Sequence, residues 1–134
     1  SDGGDWMPHK LEHELSGMFD VAHGAGLSAL WGSWARYVYL DCLPRFKRFA
    51  LRVMHVDCEG TDEEIALRGI EAVEQFFGKI GMPISIPELG ITPTGEELSE
   101  LARKCALGVG GSKGAAKRLY EADMLRIYQA AMGK

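Results

Sequence analysis

The chain has 134 residues, 46% of them hydrophobic, so it can bury one ordinary core and has no room for two. Its formal net charge of −4 disfavours nucleic acid as the main partner, because proteins that bind nucleic acid usually carry a basic surface. The sequence shows no apolar run long enough to span a bilayer and no signal peptide. We therefore expect a single cytoplasmic domain, residues 1–134, that does not bind membranes.

The first two predicted helices carry three of the four histidines. A short helix is expected from about Pro8, where proline suits the first turn, to about Phe19. A second is expected from His23 to about Asp41, with apolar residues at helical spacing. Small residues at its start permit close approach of backbone or ligand, and a tight helix crossing explains them equally well. The apolar face consists of Leu27, Leu30, Trp31, Trp34, Val38 and Leu40.

The next two helices have clear start signals. Pro44 opens the third, which we expect to continue to about Val56. Thr61 opens the fourth, because a capping threonine with a glutamate three residues later marks a helix start. The fourth is expected to end at Gly81. The predicted buried residues are Phe46, Phe49 and Val53 in the third helix and Ile65, Ile70, Val73, Phe76, Phe77 and Ile80 in the fourth.

The rest of the chain is also predicted to be helices and connectors. Residues 82–91 hold two prolines and a glycine and should form an extended connector. Thr94 starts another helix that reaches about Ala106, and the last helix covers roughly residues 121–132. The glycine-rich stretch 108–114 lacks the spacing of a phosphate-binding loop, so we expect a flexible connection there. With no convincing strand pair, the fold class is all-α, a bundle-like helical domain.

The three cysteines do not suggest a disulfide framework. Cys42, Cys58 and Cys105 are odd in number and far apart in the sequence. Free, buried thiols are the expected state.

His9, His13 and His23 lie within fifteen residues of one another. Neutral imidazole is the commonest metal ligand, and it also moves protons near neutral pH. His9 and His13 are four apart and share one face of a helix, and a turn after that helix would let His23 converge with them. No nearby cysteine pair or obvious carboxylate ligand completes a metal site. The three could equally be two surface histidines and a helix cap.

Residues 9–13 also match H-x-x-E-H, a zinc peptidase signature in which the glutamate activates water. That interpretation needs a third protein ligand and a substrate cleft, and such peptidases are much larger catalytic units. A match with three fixed positions arises easily by chance on a charged helix. We do not favour it.

A longer stretch, from His9 to Leu27, resembles the C-terminal helical domain of the iron-containing alcohol dehydrogenases, especially the butanol-dehydrogenase-like branch, with its dehydroquinate-synthase-like fold. The family pattern is His, three residues, His, nine residues, His-Gly. The resemblance implies that His9 and His23 bind the catalytic divalent metal, Fe²⁺ in the first place and Zn²⁺ as the alternative. It implies that His13 lies beside the metal, facing substrate and nicotinamide, as a candidate proton relay. Ala22 stands where many relatives carry proline.

The same resemblance implies that other parts of the enzyme lie upstream of the matching region. These are two further metal ligands, an aspartate and a histidine, and the N-terminal α/β domain that would bind most of the NAD(P). We therefore expect an excised or separately encoded C-terminal domain that holds half a metal site and is inactive alone. The complete enzyme would act on a small alcohol or aldehyde. Without the partner domain, apolar surface around Trp6, Met7, Phe19 and the start of the second helix should favour a homodimer.

Two alternatives stay open. The chain could be a non-catalytic helical interaction module whose histidines are structural or incidental. It could also be a domain that works only after pairing with a separate nucleotide-binding chain. An α/β coding region directly upstream in frame would separate these possibilities.

Overall fold

The structure, a computed structural model, describes residues 7–133. Within that range the chain forms six α-helices, two short 3₁₀ turns and one two-stranded antiparallel ribbon, which confirms the helical fold class. None of the described helices is both long and apolar enough to cross a membrane. The α-helices are α1 (Met7–Phe19), α2 (His23–Val38), α3 (Leu43–Arg52), α4 (Asp62–Lys79), α5 (Gly95–Gly108) and α6 (Glu121–Met132).

The two predicted capping boxes are both present. The Thr61 hydroxyl accepts from the Glu64 backbone N–H at 3.1 Å, and the Glu64 carboxylate accepts from the Thr61 N–H at 2.8 Å. Thr94 and Glu97 make the same reciprocal pair at the start of α5. Because each pair satisfies two backbone donors that have no partner inside the helix, α4 and α5 begin where the sequence predicts.

Two helices end earlier than predicted. α2 stops at Val38, and a 3₁₀ turn (Tyr39–Cys42) leads directly into α3. Pro44 disfavours a helix that would continue from α2 into α3, because its ring would clash with the carbonyl four residues before it. α3 stops at Arg52 instead of near Val56, and His55 beyond it adopts a φ of +55°, which a right-handed helix cannot contain.

The hydrophobic core lies mainly between α1, α2, α5 and α6, which pack against one another, while α4 contacts both α2 and α3. Tyr128 of α6 is fully buried, and its hydroxyl donates to the Leu11 carbonyl of α1 at 2.6 Å. This bond ties the last helix to the first. Among the completely buried side chains are Met7, Leu11, Leu15, Leu30, Ile70, Leu101, Met124 and Ile127.

Several burial predictions are wrong. Leu40 was predicted on the apolar face of the second helix, and Val53, Phe76 and Ile80 were predicted as buried, but each is more than half exposed. Leu40, Val53 and Ile80 lie beyond the ends of α2, α3 and α4. Phe76 lies within α4, on a part that no element among residues 7–133 covers. Two other expectations concern the apolar surface near the start of the chain. Met7 is fully buried and does not contribute to that surface, Phe19 is partly buried against the core, and Trp6 lies outside the described residues.

The glycine-rich connection between α5 and α6 contains a strand pair that the sequence analysis did not predict. β1 (Ser112–Lys113) pairs antiparallel with β2 (Leu119–Tyr120). Gly110, Gly111 and Gly114 all have positive φ, a backbone conformation that side chains disfavour. These glycines let the chain reverse direction within a few residues, so the segment is a short hairpin.

The cysteines are unpaired, as predicted, but they are not all buried. Cys105 is buried in α5, Cys42 is partly buried and Cys58 is exposed. Burial raises the pKa of the Cys105 thiol to about 12, and the nearby Glu14 carboxylate acts in the same direction.

Candidate metal centre

The turn between α1 and α2 brings the histidine-bearing ends of the two helices together. The Asp20 N–H donates to the Ser16 carbonyl at 2.8 Å, and Asp20 adopts a left-handed φ of +54° that ends α1. Ala22 is extended, and α2 begins at His23 without a side-chain cap. The chain therefore reverses within three residues, and α2 folds back against α1.

His9 and His23 meet across this reversal. Their ring centroids lie 5.4 Å apart with an interplanar angle of 29°, so the imidazoles are stacked. His9 is partly buried and His23 is more than half exposed. His13 lies one turn further along α1, with an exposed side chain. The structure thus brings together the two histidines predicted as metal ligands and leaves the third in solvent nearby.

Glu12 is a member of this cluster that sequence reasoning missed. It is completely buried, although it lies on a helix that reads as charged and exposed. Its carboxylate contacts His23 Nδ1 through one oxygen and the Ser16 hydroxyl through the other. In the sequence it stood out only as the glutamate of the five-residue peptidase match. The available signal was the spacing of Glu12 and Ser16, which are four residues apart and therefore share one face of the helix.

The backbone of α2 passes directly over the Glu12 carboxylate. A Cβ added at Gly26 would lie 2.9 Å from Glu12 Cδ and would overlap the carboxylate oxygen more closely still. A Cβ added at Gly24, two residues earlier in α2, would meet only the Met82 side chain, at 3.8 Å. Of these two glycines at the start of α2, Gly26 is therefore the one that makes room for Glu12.

The donor chemistry fits half of a divalent metal site. Because Nδ1 of His23 contacts the Glu12 carboxylate, Nε2 is the ring nitrogen left as a possible ligand, and His9 supplies a second imidazole beside it. Zinc and iron sites generally need three or four protein ligands. Among residues 7–133 no group of three or more His, Cys, Asp or Glu side chains could hold a metal. Further ligands would have to come from outside these residues.

A cavity of about 520 Å³ lies beside His9. Its size falls in the range of small-molecule sites, and most of its wall is aromatic or aliphatic. Trp34 packs against Trp31 and Phe46 with ring centroids 6.3 and 6.1 Å away, so that part of the wall is held by mutual aromatic contacts. The wall consists of Pro8, His9, Leu27, Trp31, Trp34, Cys42, Arg45, Phe46, Phe49 and Ala116.

Comparison with known proteins assigns the family. Residues 1–132 match the family described as "Fe-containing alcohol dehydrogenase family, C-terminal". The chain is 35% identical over 130 residues to a probable NADH-dependent butanol dehydrogenase 1 of Bacillus subtilis, covering 96% of this chain and 33% of that protein. It is 30% identical over 125 residues to NADH-dependent butanol dehydrogenase A of Clostridium acetobutylicum, covering 92% of this chain and 32% of that protein.

Solved structures of relatives have the same fold. NADH-dependent butanol dehydrogenase A from Thermotoga maritima superposes with a TM-score of 0.85 at 35% identity, over 97% of this chain and 33% of that one. The aldehyde reductase YqhD from E. coli gives a TM-score of 0.85 at 26% identity, over 95% of this chain and 33% of that one. The chain therefore spans about a third of the length of the relatives that it matches.

Proposed function

This chain belongs to the Fe-containing alcohol dehydrogenase family as its C-terminal domain, and we propose on that premise that His9 and His23 are two ligands of a catalytic divalent metal. The stacking of these two rings, 5.4 Å apart, is the observation that carries the proposal. They lie fourteen positions apart in sequence, on two helices, and only the tight turn at Asp20 brings them together.

The reaction we propose for the complete enzyme is alcohol–aldehyde interconversion by hydride transfer with NAD(P). The names of the relatives, NADH-dependent butanol dehydrogenases, support this reaction class. The nucleotide-binding part and the remaining ligands would come from other residues, in the same polypeptide or in a separate chain. When bound, Fe²⁺ or Zn²⁺ would polarise the substrate oxygen and stabilise an alkoxide.

The residues of this chain would then have distinct tasks. His9 and His23 would bind the metal. The exposed imidazole of His13 would take up or release a proton near the substrate oxygen. The cavity beside His9, whose wall is mostly apolar, receives the carbon part of a small alcohol or aldehyde. The sequence contains no recognisable dinucleotide-binding motif, so we propose that the isolated chain is inactive.

The metal proposal can be tested on this chain directly by adding Zn²⁺ and following the histidine ring resonances by NMR. The titration needs a Cys58→Ser background, because the exposed Cys58 thiol also binds zinc. We expect the His9 and His23 rings to shift together and the distant, exposed His55 to stay unchanged. His9→Ala and His23→Ala should each remove the shift of the remaining partner. Equal shifts of all four histidines would contradict the proposal.

A further inference from the structure

The environment of Glu12 is unusual for a charged side chain. Glutamate is almost never fully buried unless it is paired, and Glu12 has no exposed surface. Both of its carboxylate oxygens are engaged, Oε1 by His23 Nδ1 and Oε2 by Ser16 Oγ. Each oxygen of the Glu12 carboxylate therefore has a polar partner.

The hydrogen between Glu12 and His23 has two possible positions. Ser16 has one hydroxyl hydrogen and two possible acceptors, Glu12 Oε2 and the Val21 carbonyl at 3.0 Å. An ionised Glu12 only accepts, and the hydrogen between Oε1 and the ring then belongs to His23 Nδ1. A neutral Glu12 with its hydrogen on Oε1 would instead donate to Nδ1, and the ring would carry its hydrogen on Nε2. Carboxylates that contact a histidine of a metal site commonly accept from it, which favours the first arrangement.

The start of α2 packs against the Glu12 carboxylate. A Cβ added at Gly26 would lie 2.9 Å from Glu12 Cδ, so the backbone of α2 covers the carboxylate on that side. The ring itself is more than half exposed on its other side. A neutral His23 with hydrogen on Nδ1 keeps its lone pair on Nε2, the nitrogen that does not contact Glu12.

We infer that Glu12 is a positioning residue that holds His23 in the Nδ1–H tautomer and so presents Nε2 as the ligand atom. The tautomer is inferred from contacts within this chain, and the identity of the group that Nε2 binds rests on the proposed function. A hydrogen-bonded carboxylate behind a metal-binding histidine fixes its orientation and raises its basicity, and loss of such a partner typically lowers metal affinity about 10- to 100-fold.

The first test reads the tautomer without any metal. Two-dimensional ¹H–¹⁵N spectra of the imidazoles at about pH 8.5, where an ordinary imidazole is neutral, distinguish the nitrogen that carries hydrogen from the one that does not. We expect His23 to carry hydrogen on Nδ1 in the unaltered chain. A His23 ring with its hydrogen on Nε2 would overturn the inference before any substitution is made.

Three variants separate positioning from a general effect on folding. Glu12→Met fills the same buried space without an acceptor, and His23 should then lose its Nδ1–H preference. Glu12→Gln should retain that preference, because its amide oxygen can accept from His23 while its NH₂ donates to Ser16, which in turn donates to Val21. Glu14→Met, the same change two residues along α1, should leave His23 unaffected. If His23 has the same tautomer in Glu12→Met as in the unaltered chain, the inference is wrong.

A Zn²⁺ titration of the same variants then distinguishes this inference from the proposed function. We expect Glu12→Met to weaken zinc binding about 10- to 100-fold and Glu12→Gln to weaken it less. If the tautomer results hold while zinc never shifts His9 and His23, the metal proposal fails and the positioning role stands. If zinc binds those rings equally well in Glu12→Met, Glu12 does not position the ligand.

Discussion

Gly26 of α2 and Glu12 of α1 lie so close that no side chain larger than hydrogen fits between them. A Cβ at position 26 would stand 2.9 Å from both Cγ and Cδ of Glu12. The glycine is thus a packing requirement of the buried carboxylate, because its backbone is ordinary helix and needs no special φ.

Gly26→Ala should therefore destabilise the protein and disturb the site. Overpacking of this kind costs about 1–3 kcal/mol, offset in part by the better helix propensity of alanine, which is worth about 1 kcal/mol. Gly24→Ala is the matched control, since its Cβ meets only Met82 at an ordinary 3.8 Å and should be neutral or stabilising. Urea unfolding measures both. Equal stability of the two variants would show that the Glu12 contact relaxes freely.

His13 should affect turnover without affecting metal content. In the enzyme assembled with its nucleotide-binding part, we expect His9→Ala and His23→Ala to lose metal and activity together, since each removes a ligand. His13→Ala should keep the metal and lower turnover by about 100-fold or more, the usual contribution of a positioned acid or base. Metal analysis beside steady-state kinetics makes the distinction. Equal metal loss in all three variants would mean that these roles are wrongly assigned.

The isolated chain should bind divalent metal weakly and show no dehydrogenase activity. Two imidazoles supply half of a coordination shell, so metal should be lost on dialysis. Hydride transfer also needs nicotinamide, metal and substrate held in contact. An assay with an alcohol, NAD(P) and added Fe²⁺ or Zn²⁺ checks this. Measurable nicotinamide reduction by the pure chain would mean that a cofactor site exists within it.

We propose that the isolated chain self-associates as a homodimer, and that Phe76 and Ile80 contribute to its interface. Phe76 near the end of α4 and Ile80 just beyond that helix are both more than half exposed. Replacing both by serine should shift sedimentation at micromolar concentration toward the monomer. Leu107→Ser, at an exposed position on α5, is the control and should leave the distribution unchanged. A chain that is strictly monomeric before substitution would refute the association.

The cysteines should react in order of exposure. At about pH 8 a thiol-specific reagent should modify Cys58 first and Cys42 more slowly. Cys105 should react only after unfolding, because its pKa of about 12 leaves almost no thiolate in the folded state. The same raised pKa means that Cys105 stabilises the fold below its unfolded pKa, and this contribution falls as pH rises from about 9 to about 12. Labelling of all three at equal rates would contradict the burial of Cys105.

The sequence by itself determined where helices begin and which residues could carry chemistry. Thr61 and Thr94 start helices because their side chains and the following glutamates satisfy backbone donors locally, within one turn. The stretch from His9 to Leu27, with its three histidines, is likewise a local feature, and it carried the resemblance to the family that the match over residues 1–132 confirms. These features depend on residues a few positions apart, so they can be read without knowing the fold.

Only the tertiary structure decided what each helix face meets. Helical periodicity shows that residues share a face, but it does not show whether a neighbour covers that face, so Phe76 and Ile80 read as buried and are exposed. The same limit concealed Glu12, which reads as one more charge on a solvated helix. It is buried because a turn at Asp20 returns the glycine of α2 and the ring of His23 onto its carboxylate. Contacts between residues distant in sequence depend on that chain reversal, and no local pattern encodes its geometry.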